Sequence, residues 1–178
     1  PGKTYEGVDF APILKDPTVN ARNYAFAEDH WHDYEDHGRA IANQRWKLIR
    51  NSYVDLQNTP SADAGRSPTW QSMLKLKADN KLNAAQLRCF TSPRAEFELY
   101  DLKNDPFETK NLAGSKEHQA TLLEMQNALA VWSKKTNDYL PTKRTPDEFH
   151  RVTGAPDHSV RKRPRPSKKD MFDTNGKY

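Results

Sequence analysis

Residues Glu96 to Gly114, E-F-E-L-Y-D-L-K-N-D-P-F-E-T-K-N-L-A-G, constrain the fold more than any other stretch of the chain. The first half alternates. Phe97, Leu99 and Asp101 point one way and Glu98, Tyr100 and Leu102 the other, which is the period of a half-buried strand. Asn104-Asp105-Pro106 must end it, because proline has no N–H for a ladder and biases Asp105 away from helix. A short connection then reaches Ser115, placed as a helix N-cap, with Glu117 in the first turn facing the positive end of the helix dipole. From about Lys116 to Thr136, Leu122, Met125, Leu129 and Trp132 recur at steps of three and four, a stripe that must face a core. Strand, tight turn and long helix therefore follow in that order.

The run L-Y-D-L-x-x-D-P-x-E-x-x-N-L-A resembles the signature near the C-terminus of the sulfatases, which hydrolyse sulfate esters and sulfamates with a formylglycine nucleophile and a bound calcium ion. Two further segments are similar to the same family and stand in family order. Gly7 to Leu14 resembles its G-x-S-x-x-P-x-L segment, and Arg39 to Asn51 its R-x-x-x-x-x-R-x-K-L-I-x-N hairpin. Ser67-Pro68-Thr69-Trp70-Gln71 and the spacing onward to Tyr100 look most like the N-sulfoglucosamine sulfohydrolase (heparan N-sulfatase) branch. The resemblance spans roughly residues 1 to 140.

Charge separates the chain into two regimes. Residues 141–178 hold 10 Lys and Arg against 5 Asp and Glu, whereas the first 140 residues hold 18 against 19. The basic character belongs to the tail, so the body lacks the basic face that extended nucleic-acid binding needs. Cys89 is the one cysteine, which excludes an internal disulfide and a cysteine-based zinc site. No apolar run reaches membrane-spanning length, and Pro1-Gly2-Lys3 does not begin a signal peptide.

In chain order, residues 1–22 read as a turn-rich, irregular lead-in from a catalytic domain that the chain does not contain. Residues 23–140 read as an α+β domain, a small antiparallel sheet of about four strands with the long C-terminal helix packed on one face. Its strands are Asn23 to Glu28, Arg39 to Ala42, Trp46 to Arg50 and the Phe97 run, with Asn43-Gln44 as a hairpin turn because Asn tolerates positive φ. Ser67-Pro68 reads as an N-cap and first helical position, and Lys81 to Phe90 as a further helical turn. Residues 141–178 read as a basic, proline-containing, poorly ordered tail, most basic from Arg161 to Lys169.

The densest polar constellation is the run from Glu28 to Arg39, with three histidines and five carboxylates between two predicted strands. Three readings compete for it. As a metal site it is mis-spaced, since H-x-H-x-D-H needs Asp and His where the chain has Tyr34 and Glu35. As a polar loop at a strand end it needs no role at all. The resemblance implies the third reading, in which His30 contacts the sugar or its sulfate, with Glu28, His32, His37 and Arg39 as substrate-binding neighbours. His and Arg suit such a ligand because both donate hydrogen bonds to anionic oxygens.

No catalytic residue and no metal ligand is assigned within this chain. Cys89-Phe90-Thr91-Ser92-Pro93-Arg94 does not fit the C/S-x-P-x-R nucleophile motif, because proline and arginine come too late, so Cys89 reads as a small buried hydrophobe. The resemblance implies that calcium and formylglycine belong to the complete enzyme and that this chain alone is inactive. The implied partners are an N-terminal sulfatase catalytic domain and a sulfated sugar, with no nucleic acid and no membrane, and the implied location is periplasmic, secreted or lysosomal. A different class remains open: a non-enzymatic carbohydrate- or polyanion-binding module that uses the histidine-rich loop and the basic tail.

Overall fold

The structure is a computed structural model describing residues 7–160. Four strands form one antiparallel sheet in sequence order: β1 (Ala25–Asp29), β2 (Gly38–Ala42), β3 (Trp46–Asn51) and β4 (Phe97–Asp101). The predicted strands fall where the alternation places them, within two residues at each end. Register puts Ile41 opposite Leu48 and Leu48 opposite Leu99, so these three side chains line up across one face.

That apolar face is covered by the long helix. A 3-10 turn (Lys116–His118) leads into α-helix Gln119–Thr136, and Leu122, Met125 and Leu129 close over Ile41, Leu48 and Leu99. Each buried side chain of this size contributes about 1.5 to 3 kcal/mol of hydrophobic stabilisation. Trp132, the fourth residue of the stripe, is half-buried and stacks on Phe26 of β1, with ring centroids 5.0 Å apart and planes 7° from parallel. Ser115 makes no side-chain cap; instead Gln119 reaches back to donate to the Ser115 and Ala113 carbonyls.

The remaining helices are α1 (Ala11–Lys15), α2 (Ala62–Gly65), α3 (Pro68–Ala78) and α4 (Ala84–Leu87), so that the long helix is α5. Helix α1 stands where an irregular lead-in is expected, started by Pro12 near its N-terminus. Helix α3 begins as predicted, with Ser67 Oγ accepting from the Trp70 N–H at 3.2 Å and Pro68 at the first position. No helix among the described residues is long and apolar enough to cross a membrane.

The β2–β3 hairpin turns without positive φ. Asn43 Oδ1 accepts from Arg45 N–H at 2.9 Å and Trp46 N–H at 2.7 Å, so the side chain replaces backbone strain with an Asx turn.

The signature stretch has a purely structural explanation. Strand β4 is an edge, and unpaired edge groups invite pairing with another chain. Asn111 closes it: its Oδ1 accepts from the Leu99 and Ala113 N–H groups at 3.0 and 2.9 Å, and its Nδ2 donates to Phe97 O at 3.1 Å. Leu112 N–H then donates to Leu99 O at 2.8 Å. Asp101 holds the turn, accepting from Arg45, Asn104 and the Lys103 N–H, and these bonds, Arg45 first, lower its pKa to about 2. Asp105 Oδ2 takes the Lys110 N–H at 2.8 Å, and Glu108, at φ 54°, turns its carboxylate to Lys47 at 2.8 Å.

Residues 141–160 depart from the expected loose tail. They fold back across the Glu28 to Arg39 loop, with Arg144 paired to Asp55 through two bonds of 2.7 and 2.6 Å and a β-bridge between Phe149 and Pro156. Their order comes from long-range polar bonds, which leave no periodicity in sequence. Arg161 to Lys169 lies outside the described residues.

Replacing Asn111 with Ala removes three bonds at once and leaves the Leu99 N–H without its acceptor. The expected loss is about 2 kcal/mol of folding stability, read as a lower urea midpoint with an unchanged slope. An unchanged midpoint would mean that Leu112 alone suffices to close the edge.

Candidate functional site

The run from Glu28 to Arg39 carries eight Asp, Glu and His side chains, and the structure sorts them by whether a partner within the fold already occupies them. Asp36 is bidentate to Arg94 at 2.7 and 3.0 Å. Asp33 accepts from the Ala62 N–H at 2.7 Å. Glu35 is buried and accepts from the Thr145 N–H, while its own N–H donates to Asp147 at 2.7 Å and its carbonyl accepts from Arg151 at 2.7 Å. Three of the five carboxylates thus hold the loop to the insertion, the long β3–β4 connection of residues 52–96, and to residues 141–160.

Arg39 is the centre of the other half. Strand register sets it opposite Glu28, on the face covered by α5. Helix α5 ends at Asn137 in the left-handed conformation, φ 56°, and the next N–H, that of Asp138, donates back to Ser133 O at 2.8 Å. This termination swings Asp138 over the sheet, where it accepts from Arg39 Nε at 2.8 Å and Nη2 at 2.6 Å. Arg39 Nη1 donates to the carbonyls of Gly38 and Asp29, and Nη2 also donates to His37 Nε2 at 2.9 Å. All five guanidinium N–H groups are therefore engaged, and the side chain is 2% exposed.

His37 is buried, 5% exposed, and placed by the same logic. A guanidinium cannot accept, so His37 Nε2 accepts from Arg39 and its Nδ1–H donates to Ser52 Oγ at 2.9 Å. Burial, reinforced by the Arg39 charge, pushes its pKa down. His37 is a neutral strut, and neither it nor Arg39 has a donor to spare for a sulfate.

His30 sits on this foundation. Its Nε2 lies 3.2 Å from Glu28 Oε2, both side chains are 53% exposed, and both of its ring nitrogens are 3.5 Å from Arg39 Nη2. The ring also meets His37 edge to face at 6.0 Å. Glu28, His30, His37 and Arg39 thus converge, as the sequence reading groups them, but as an exposed pair above a buried pair. His32 is apart from them, 82% exposed and 3.4 Å from Asp33.

Asp29 was not singled out in the sequence reading. Its carboxylate has no hydrogen-bond partner among the described residues, and the surrounding walls followed by the Asp36 charge push its pKa up. The signal was its position beside His30 at the strand end. Cys89, expected as a buried hydrophobe, is half-buried on the wall of a cleft.

Among the described residues no group of three or more His, Cys, Asp or Glu side chains could hold a metal ion.

The Arg39–Asp138 pair makes stability sensitive to acid. Arg39 holds the Asp138 carboxyl below its ordinary value, so the stabilisation is complete above the unfolded pKa near 4 and disappears as pH falls through the lowered folded value. Asp138→Asn should weaken folding at pH 7 and flatten that acid limb, measured by urea titrations from pH 7 to pH 2.5.

No family model matches the chain. The ulvan-active sulfatase of Formosa agariphila is 41% identical over 152 residues, 74% of this chain and 25% of that protein. The N-sulphoglucosamine sulphohydrolase of Homo sapiens is 31% identical over 107 residues, 56% of this chain and 20% of that protein. Among solved structures, a 2-O GAG sulfatase superposes with TM-score 0.51 at 20% identity, covering 83% of this chain and 24% of that one. The chain spans a quarter or less of the length of these relatives. Over most of its length the chain is homologous to part of these sulfatases.

Proposed function

We propose that this chain is the C-terminal part of a sulfatase acting on a sulfated carbohydrate, and that its β1–β2 loop completes the substrate pocket of a catalytic domain outside the chain. The observation that carries the reading is the division of the loop into buried, fully bonded supports and an exposed Glu28–His30 pair. Preorganised groups of this kind bind well because their orientation is set before the ligand arrives.

Glu28 lies against His30 Nε2, and Nδ1, whose nearest polar neighbour is the already engaged Arg39 Nη2 at 3.5 Å, is the nitrogen a ligand would meet. A protonated ring offers Nδ1–H as a charge-assisted donor to a sulfate oxygen, and a neutral ring offers Nδ1 as an acceptor for a sugar hydroxyl. Exposed His32 stands at the outer rim, as the more peripheral contact.

The chemistry at sulfur belongs to the partner domain. Formylglycine would supply the nucleophile there and calcium would balance the sulfate charge. The residues described here do not form a seat for that ion, and the sequence around Cys89 does not fit the nucleophile motif. What this chain contributes is binding and orientation.

In the protein joined to its catalytic domain, His30→Ala should lower kcat/KM toward the sulfated sugar about 10- to 100-fold, the loss of one charge-assisted hydrogen bond. The melting temperature should stay constant, since His30 is not in the core. Activity at the unsubstituted level would remove the assignment.

A further inference from the structure

On the sheet face away from α5, a cleft of about 810 Å³ lies between β4 and the insertion that carries α3 and α4. Asp29, Asp36 and Thr59 line both this cleft and a smaller one of about 440 Å³ that reaches His30. The two therefore meet at the strand end, next to the proposed pocket.

Most charge in the cleft is already matched inside the protein. Arg94 is 5% exposed and holds Asp36, Asn58 and the Tyr53 carbonyl. Tyr100 donates to Glu98, and burial with that bond pushes its pKa up. Two groups keep unused hydrogen-bonding capacity. Arg88 pairs with Glu98, its Nη2 3.8 Å from Oε2, and donates to the Glu108 carbonyl through Nη1 and to the Tyr100 hydroxyl through Nη2 at 2.6 Å, which leaves three of its five N–H groups without a hydrogen-bond acceptor among the described residues. Its side chain is 40% exposed and is fixed over the Tyr100 ring, 5.4 Å from the centroid. At the His30 end stands the Asp29 carboxylate, also without a hydrogen-bond partner among the described residues.

An anchored guanidinium with spare donors and a lone carboxylate on one polar cleft call for a ligand with an anionic substituent and hydroxyl donors. Trp70, stacked on Phe90 at 4.9 Å, adds an apolar wall. We propose that this cleft is an extended glycan subsite, in which Arg88 takes the sulfate or carboxylate of a neighbouring sugar unit and Asp29 accepts from its hydroxyls. The inference rests on the sulfatase reading, in that the chain continuing into the cleft is the one whose sulfated unit meets His30. It makes the substrate an oligosaccharide or polysaccharide. The mixed lining fits a carbohydrate better than a strong polyanion, because Asp29 would repel dense negative charge.

The test titrates the isotope-labelled 178-residue chain with N-sulfoglucosamine and with an N-sulfated tetrasaccharide, following ring signals of His30, the Trp70 indole N–H and the Arg88 Nε–H by NMR. The tetrasaccharide should shift all three, bind about tenfold more tightly than the monosaccharide, and lose that advantage in Arg88→Ala. Because Arg88 also supports the Glu108 turn, Ala85→Trp serves as a second variant; it fills the cleft from exposed α4 without breaking a bond, and should abolish the same advantage. Shifts confined to His30 would overturn the subsite and leave the pocket reading intact. Shifts at Trp70 and Arg88 with none at His30 would support a glycan cleft and count against the pocket reading. Equal tetrasaccharide affinity in the Ala85→Trp chain, or no response at millimolar tetrasaccharide, would also overturn the subsite.

Discussion

An unpaired N–H on a buried guanidinium is costly, and the strand end that carries Arg39 is arranged to avoid that cost. Arg39 sits between the sheet and the end of α5, where water cannot complete its hydrogen bonds. Two carbonyls, one carboxylate and one imidazole answer its five donors. Each of those acceptors belongs to an element that must arrive at the right place. Strand β1 must end at Asp29, β2 must begin at Gly38, and α5 must stop at Asn137. The pair is thus a registration device as well as a support, since a slip of any one of these elements would strand a charge.

The same economy explains the signature stretch. Leu99 packs in the core, Tyr100 bridges Arg88 and Glu98 on the opposite face, and Asp101 holds the turn that follows. Asp105 and Asn111 then build the connection and seal the sheet edge. Leu99, Tyr100, Asp101, Asp105, Glu108, Asn111, Leu112 and Ala113 each have a bond or a packing role in the fold. The motif builds the scaffold, and its Tyr100 and Asn111 also line the cleft beside β4.

The scaffold was legible because its signals are local. Alternation in 97–101 and the three-and-four spacing of Leu122, Met125 and Leu129 each follow from one element burying one face. Ser67 and Pro68 announce α3 within four residues. The site was legible only as a neighbourhood. Sequence placed Glu28, His30, His37 and Arg39 together, but whether a donor is free depends on partners far along the chain. Arg39 is answered by a residue 99 positions away, and Glu35 by one 110 away. The fold of residues 141–160 was hidden for the same reason: its contacts run from Asp147, Arg151 and Arg144 to Glu35 and Asp55, and leave no repeat to read. Asn43 shows the milder case, in which the turn was legible but its means was not, because an Asx bond and a positive φ draw on the same residue type.

Counting donors and acceptors also separates what this domain keeps from what it offers. A charged loop at a strand end looks uniformly reactive in sequence, yet here Asp33, Glu35, Asp36, His37 and Arg39 are all held by partners within the fold. Remaining outward are Glu28 with His30, the Asp29 carboxylate and exposed His32. Those groups are rigidly based but not rigidly bound, the condition under which a ligand can replace water without first breaking the protein's own bonds. A domain that spans a quarter of its relatives' length and holds no nucleophile motif can still decide what an enzyme binds. Specificity needs placed donors and acceptors, and placement is what this fold supplies.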